Sequence, residues 1–186
     1  MKTNHNQLLK ITITAAMIAL TCVLTMPVRI PTPTKGYLNL GDCAVLFSGW
    51  LLGPVYGAIA GGIGSALADL LAGYPAYVPG TLLIKALMAL IISFVPYRLC
   101  RNGRRHTRIG FLICAAIAEA LMASGYWLYE AVVIGEGYAA ALAGVSGNVF
   151  QGLAGIAGSC FLVEVISHTG IPGTYRIGGP VKGDSK

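Results

Sequence analysis

The chain has 186 residues, 55% of them hydrophobic and 11% charged, with 25 glycines and a formal net charge of +6. Soluble globular domains carry about 25% charged residues, so this composition excludes a soluble protein and describes an integral membrane one. At about 20 apolar residues per crossing helix there is room for six spans with short loops and none for a separate catalytic domain.

Span 1 is predicted from Leu8 to Met26. A signal peptide is rejected there, because the segment ends at Met26-Pro27 without a small-x-small cleavage site and the rest of the chain is equally apolar. Thr12, Ala15, Ala16 and Ala19 form a small-residue face against which another helix can pack closely. Pro27 to Leu40 holds three prolines and a Thr-Pro-Thr-Lys-Gly run, which predicts an irregular loop. Asp42 follows in the first turn of span 2, where a carboxylate favours a helix N-terminus at the membrane surface.

Span 2, Asp42 to Leu52, is short for a crossing and breaks at Gly53-Pro54, proline being suited to the first turn of the next helix. Span 3 runs from Pro54 to Ala72 with small residues on adjoining faces. Span 4 covers Pro79 to Val95 and is expected to end at Pro96. Span 5 covers Ile109 to Ile134, Gly135-Glu136-Gly137 turns the chain, and span 6 covers Tyr138 to Ser167. The expected architecture is an all-α six-transmembrane-helix bundle forming one domain over residues 1–170, with a basic, flexible tail over 171–186.

Six spans put both termini on one side. With a cytoplasmic N-terminus, ten of the thirteen basic residues lie inside, among them Arg98, Arg101, Arg104, Arg105 and Arg108. Only Arg29 and Lys35 lie outside, and Lys85 falls within a span. That asymmetry is a strong positive-inside signal and accounts for the net charge without nucleic acid.

Charges inside spans cost about 2.5–3.5 kcal/mol each on insertion scales, so each is a functional candidate. Asp69, Lys85, Glu130, Asn148 and Gln151 come from four spans and fall in the outer leaflet. Span 5 presents Glu119, Ala123, Tyr126 and Glu130 on one helical face, flanked by Trp127 and Tyr129, and Tyr37, Tyr74 and Tyr77 come from the outer loops. An aromatic and polar pocket of this kind suits a planar, water-soluble ligand. The alternative is an interfacial aromatic belt with a structural ion pair between Lys85 and Asp69 or Glu130. Glu119, near mid-span, fits either the pocket floor or a helix-to-helix pairing.

There is no G-x-x-x-x-G-K-[ST], H-E-x-x-H or G-x-S-x-G motif, and the three histidines are dispersed. Neither an enzyme, a metal site nor a cofactor is expected. The halves show no internal similarity of the kind that marks an inverted-repeat transporter, so energy for uphill transport would come from a partner.

Gly36-Tyr37-Leu38-Asn39-Leu40-Gly41-Asp42, then Gly53-Pro54, then the run from Gly61 to Leu71, then Gly73-Tyr74 and Ile84-Lys85 resemble, in order and spacing, the substrate-binding S components of energy-coupling factor (ECF) vitamin transporters. The likeness is to the riboflavin-transporter-like branch of unassigned members. The resemblance implies a six-helix bundle in the cell membrane that binds a vitamin or precursor near the outer face, under a lid formed by the loop after span 1. It also implies a transmembrane coupling subunit and two cytoplasmic ATPase subunits as partners. The family's docking face, Ala-x-x-x-Ala on helix 1, matches Ala15 and Ala19, with Thr12 and Ala16 beside them. On this reading Tyr37, Asn39, Asp69, Tyr77, Lys85, Tyr126, Trp127, Glu130, Asn148 and Gln151 meet the ligand. The competing reading is a membrane scaffold or assembly protein whose buried charges are only structural.

Overall fold

The computed structural model describes residues 2–26, 30–31, 37–101 and 107–168, with side chains over 7–26, 39–94 and 109–166. The expected tail over 171–186, the side chain of Tyr37 and the arginines between 98 and 108 lie outside those described side chains. The described residues form helices joined by short turns, with one two-residue strand pair. The elements are α1 (Lys2–Thr25), β1 (Ile30–Pro31), β2 (Tyr37–Leu38), α2 (Gly41–Ala72), α3 (Val78–Arg101), α4 (Thr107–Tyr129) and α5 (Tyr138–His168). Among the described residues four stretches are long and apolar enough to cross a membrane, Gln7–Thr25, Gly41–Ala72, Ile109–Ile134 and Tyr138–Ile166, and Val78–Phe94 is a shorter apolar helix. Leu8, Val55, Leu83, Phe150 and Phe161 are exposed on the outside of the bundle, as helices meeting lipid require.

Among the described residues five helices stand where six separate ones were expected, because no loop divides predicted spans 2 and 3 and Gly53 alone leaves helical geometry between them. The break at Gly53-Pro54 is nonetheless sharp. Gly53 has φ 78° and ψ −172° inside α2, a combination that is essentially restricted to glycine. A Cβ placed on Gly57 would lie 2.6 Å from the Cα of Gly49, and one on Gly61 would lie 3.0 Å from Cγ1 of Val45. Val45 and Gly61 would be about 24 Å apart along a straight helix, so α2 folds back on itself at Gly53. Glycine at 49 and 57 lets the two arms touch backbone to backbone.

This pairing fixes depth. With 45 opposite 61 and 49 opposite 57, the start of the first arm is level with residue 65, and the second arm runs on to Ala72, about 10 Å further. Asp42 is therefore lodged within the bundle and fully buried, where its place in the first turn had suggested a surface helix cap. The short first arm is the cause. The N-cap residue Leu40 makes no side-chain cap; Asn39 before it accepts the Gly41 N–H on Oδ1 at 2.8 Å in an Asx-turn arrangement.

The second arm of α2 packs α1 at Gly64, where a Cβ would meet the Ile18 carbonyl at 2.7 Å, and packs α3 at Gly62, close to the Leu82 carbonyl. The main core joins Val45 and Leu46 of α2, Met88 and Ile92 of α3, and Phe111, Ala115 and Met122 of α4. Between α1 and α2 the chain adds the strand pair, Ile30 opposite Leu38 and Pro31 opposite Tyr37, inside what the sequence presented as wholly irregular. α3 also differs from expectation by continuing through Pro96 to Arg101. A proline there removes one backbone bond near a helix end, which membrane helices tolerate. At the other end of the bundle α4 widens into a π-helical turn, Glu130–Ile134, stopped by Gly135 at φ 84°. Gly137, at φ 82°, completes the turn expected at Gly135-Glu136-Gly137.

Candidate ligand-binding site

The first arm of α2 carries a carboxylate to mid-bundle, and three other segments converge on it. Lys85 of α3, 2% exposed, forms an ion pair with Oδ1 of Asp42, itself 0% exposed. Gln151 of α5 donates from Nε2 to Oδ2 of Asp42 at 2.7 Å. The Oε1 of the same glutamine accepts the backbone N–H of Asn39 at 2.8 Å. One carboxylate thus links α2, α3 and α5, and Gln151 ties the end of the preceding loop to the same point. The sequence marked Lys85, Gln151 and Asn39 but offered Asp69 or Glu130 as the partner of Lys85; the partner is Asp42.

Glu119 of α4 closes the floor of this cluster. A Cβ on Gly155 of α5 would lie 2.7 Å from Glu119 Oε1 and 2.8 Å from the Cβ of Asp42. Glycine at 155 is what lets both acids come up to α5. Glu119 thus lies beside Asp42 and against α5, with no hydrogen-bond partner for either carboxyl oxygen among the described residues.

Outward of this floor, α3 and α4 meet in a regular antiparallel register. The Tyr77 hydroxyl donates to Glu130 Oε1 at 3.4 Å, and one turn deeper the hydroxyls of Thr81 and Tyr126 are 2.9 Å apart. One further turn down, the ammonium of Lys85 lies 5.4 Å from the centre of the Tyr126 ring, within cation–π range. Residues 77, 81 and 85, running from the turn before α3 into that helix, read against 130 and 126 at the end of α4 and its π-helical turn, as a four-residue helical repeat requires. Asp69, near the end of the second arm of α2, and Asn148, one turn outward of Gln151 on α5, are also buried.

Trp127 stands apart from this constellation. Its indole N–H donates to the Tyr138 carbonyl at 3.1 Å, and its ring lies 5.6 Å from that of Tyr138. Adjacent residues on a helix point about 100° apart, so Tyr126 and Trp127 cannot both face the floor; Trp127 fastens the turn between α4 and α5. Tyr129 likewise donates to the Ala76 carbonyl at 2.7 Å. On α1, Thr14, Met17, Thr21 and Thr25 are buried, whereas Thr12, Ala15, Ala16 and Ala19 are exposed, so the small-residue face points away from the bundle. Among the described residues no group of three or more His, Cys, Asp or Glu side chains is placed to hold a metal ion.

The family model described as ECF-type riboflavin transporter, S component, matches residues 5–168. The chain belongs to this family of transporter S components. Among its relatives, a protein of Pyrococcus woesei described as "Uncharacterized protein in gap 3'region" is 36% identical over 135 residues, covering 72% of this chain and 85% of the relative. The thiamine precursor transporter HmpT of Lactococcus lactis subsp. cremoris (strain MG1363) is 27% identical over 175 residues, covering 93% of this chain and 96% of the relative. Family membership makes the protein a membrane transport component, with no enzyme class implied. The matched region contains every polar side chain of the cluster.

Proposed function

We propose that the protein is the substrate-capturing subunit of an ECF-type importer, binding a small water-soluble vitamin or vitamin precursor at the outer face of the cell membrane. The observation that carries this reading is the buried link from Asn39 through Gln151 to Asp42 and Lys85. It couples the loop between α1 and α2 to a charged cluster inside the bundle. A ligand that engages the cluster thereby alters what holds the loop, which is the behaviour required of a lid. Asp69, Lys85, Glu130, Asn148 and Gln151 are the polar contacts of the site, Tyr37, Asn39 and Tyr77 belong to the lid or the chamber beneath it, and Tyr126 supplies an aromatic wall. Trp127 acts as a rim residue.

In this reading the chain crosses the membrane six times, α2 contributing two crossings joined at Gly53, with both termini cytoplasmic as the ten-to-two distribution of basic residues favours. The outward small-residue face of α1 docks on a transmembrane coupling subunit, and two cytoplasmic ATPases provide the energy. The name of the Lactococcus relative favours a thiamine precursor within the vitamin class.

Mass spectrometry of small molecules released from the purified, denatured protein tests the reading. A stoichiometric vitamin-like compound is expected. An empty spectrum, together with no saturable binding across B vitamins and their precursors, would return the protein to the scaffold reading.

A further inference from the structure

The floor of the site holds one carboxyl group more than its ion pair uses. Asp42 and Lys85 neutralise one another, and Gln151 completes the hydrogen bonding of Asp42. Glu119 is a third ionisable group in the same place, 7% exposed, and neither of its carboxyl oxygens has a hydrogen-bond partner among the described residues. The groups around it are Asp42 from α2, Lys85 from α3, and Gly152 and Gly155 from α5; a Cβ on Gly152 would lie 3.0 Å from Oε2. The one cation among them is already held by Asp42. A buried carboxyl group with no donor is costly, and native proteins retain few of them.

We infer that Glu119 is a further ligand-contacting residue, and that the ligand presents an amino-bearing or cationic nitrogen heterocycle to it. This rests on the vitamin-capture reading above and narrows the class. A ligand carboxylate would have to take Lys85 from Asp42, leaving two carboxyl groups in the same buried place without a cation. An acceptor-rich ring such as a flavin, with a single imide N–H among several carbonyl and ring-nitrogen acceptors, offers Glu119 little. An exocyclic amino group or a protonated ring nitrogen gives Glu119 the charge-assisted donor it lacks and leaves the Asp42–Lys85 pair intact. Tyr126, two turns outward of Glu119 on the same face of α4, offers a ring for stacking.

The test uses the full chain in lipid nanodiscs and calorimetric titration with four probes: 4-amino-5-hydroxymethyl-2-methylpyrimidine, its analogue with hydrogen in place of the amino group, riboflavin and nicotinate. The amino compound is expected to bind best and to lose about tenfold or more in affinity on deamination. Glu119→Gln, which keeps size and removes the acid, is expected to collapse that ratio towards unity, and Glu119→Asp to restore part of it. A carboxyl group acting only in packing would move both affinities together and leave the ratio unchanged, which would overturn the inference. Preference for riboflavin or nicotinate would also overturn it while leaving vitamin capture standing. No binding of any probe, together with an empty released-ligand spectrum, would overturn both.

Discussion

The floor and the rim of the bundle are built from different interactions. On the floor, Asp42, Lys85 and Gln151 join three helices and the loop end through charges that are almost wholly buried. At the rim, Thr81, Tyr126, Trp127 and Tyr129 join α3 and the turn before it, α4 and α5 through neutral hydroxyl and indole groups, and Tyr77 adds a bond to the Glu130 carboxyl group. Neutral bonds contribute about 1 kcal/mol each and can be broken singly. A buried ion pair resists the loss of either partner, because the survivor is left charged in an apolar medium. Under the proposed function, this difference would let the mouth of the site open over a fixed floor.

Substitutions sharpen that contrast, and the floor is expected to give the largest effect. Lys85→Met leaves Asp42 without its cation and is expected to cost about 3–5 kcal/mol of stability, read as a lowered unfolding midpoint in detergent. A loss under 1 kcal/mol would place the pair in a more solvated setting than its burial indicates. Gly53→Ala comes next. It forces a side chain into a conformation suited to glycine and is expected to cost about 1–3 kcal/mol, detectable by chemical denaturation. A neutral result would mean that the reversal of α2 does not depend on that torsion.

At the rim, Trp127→Phe removes the bond to the Tyr138 carbonyl for about 1 kcal/mol, with ligand affinity unchanged if Trp127 only fastens the α4–α5 turn. A tenfold loss of affinity would bring it into the site. Smallest of all in the isolated protein is Ala19→Leu on the exposed face of α1, expected to leave both stability and ligand binding within error while weakening co-purification with the coupling subunit. Intact assembly would move the docking face elsewhere.

Much of this was legible from the residues. Lys85, Asp69, Glu130, Asn148 and Gln151 stood out because polar groups are rare in apolar spans, and all five are buried. The break at Gly53-Pro54 and the Gly135–Gly137 turn followed from backbone chemistry local to those positions. What was not legible is pairing across the bundle. The partner of Lys85 depends on the depth of Asp42, and that depth depends on the register between the two arms of α2, set by Gly49 against Gly57. A signal did exist: a first arm of eleven residues reaches only about 16 Å, too little to bring both its ends to membrane surfaces. The continuation of α3 through Pro96 was missed for a similar reason, since local propensity does not say what a neighbouring helix accommodates.

The central claim is that the buried charges serve a ligand and not merely the fold. The double variant Asp42→Asn with Lys85→Met removes both charges together, so its stability should recover most of what Lys85→Met alone loses. Titrating this variant with the compound released from the wild-type protein is the most direct test. Recovered stability with binding lost by tenfold or more is the predicted result. Recovered stability with wild-type affinity would contradict the account, because the pair would then be structural alone.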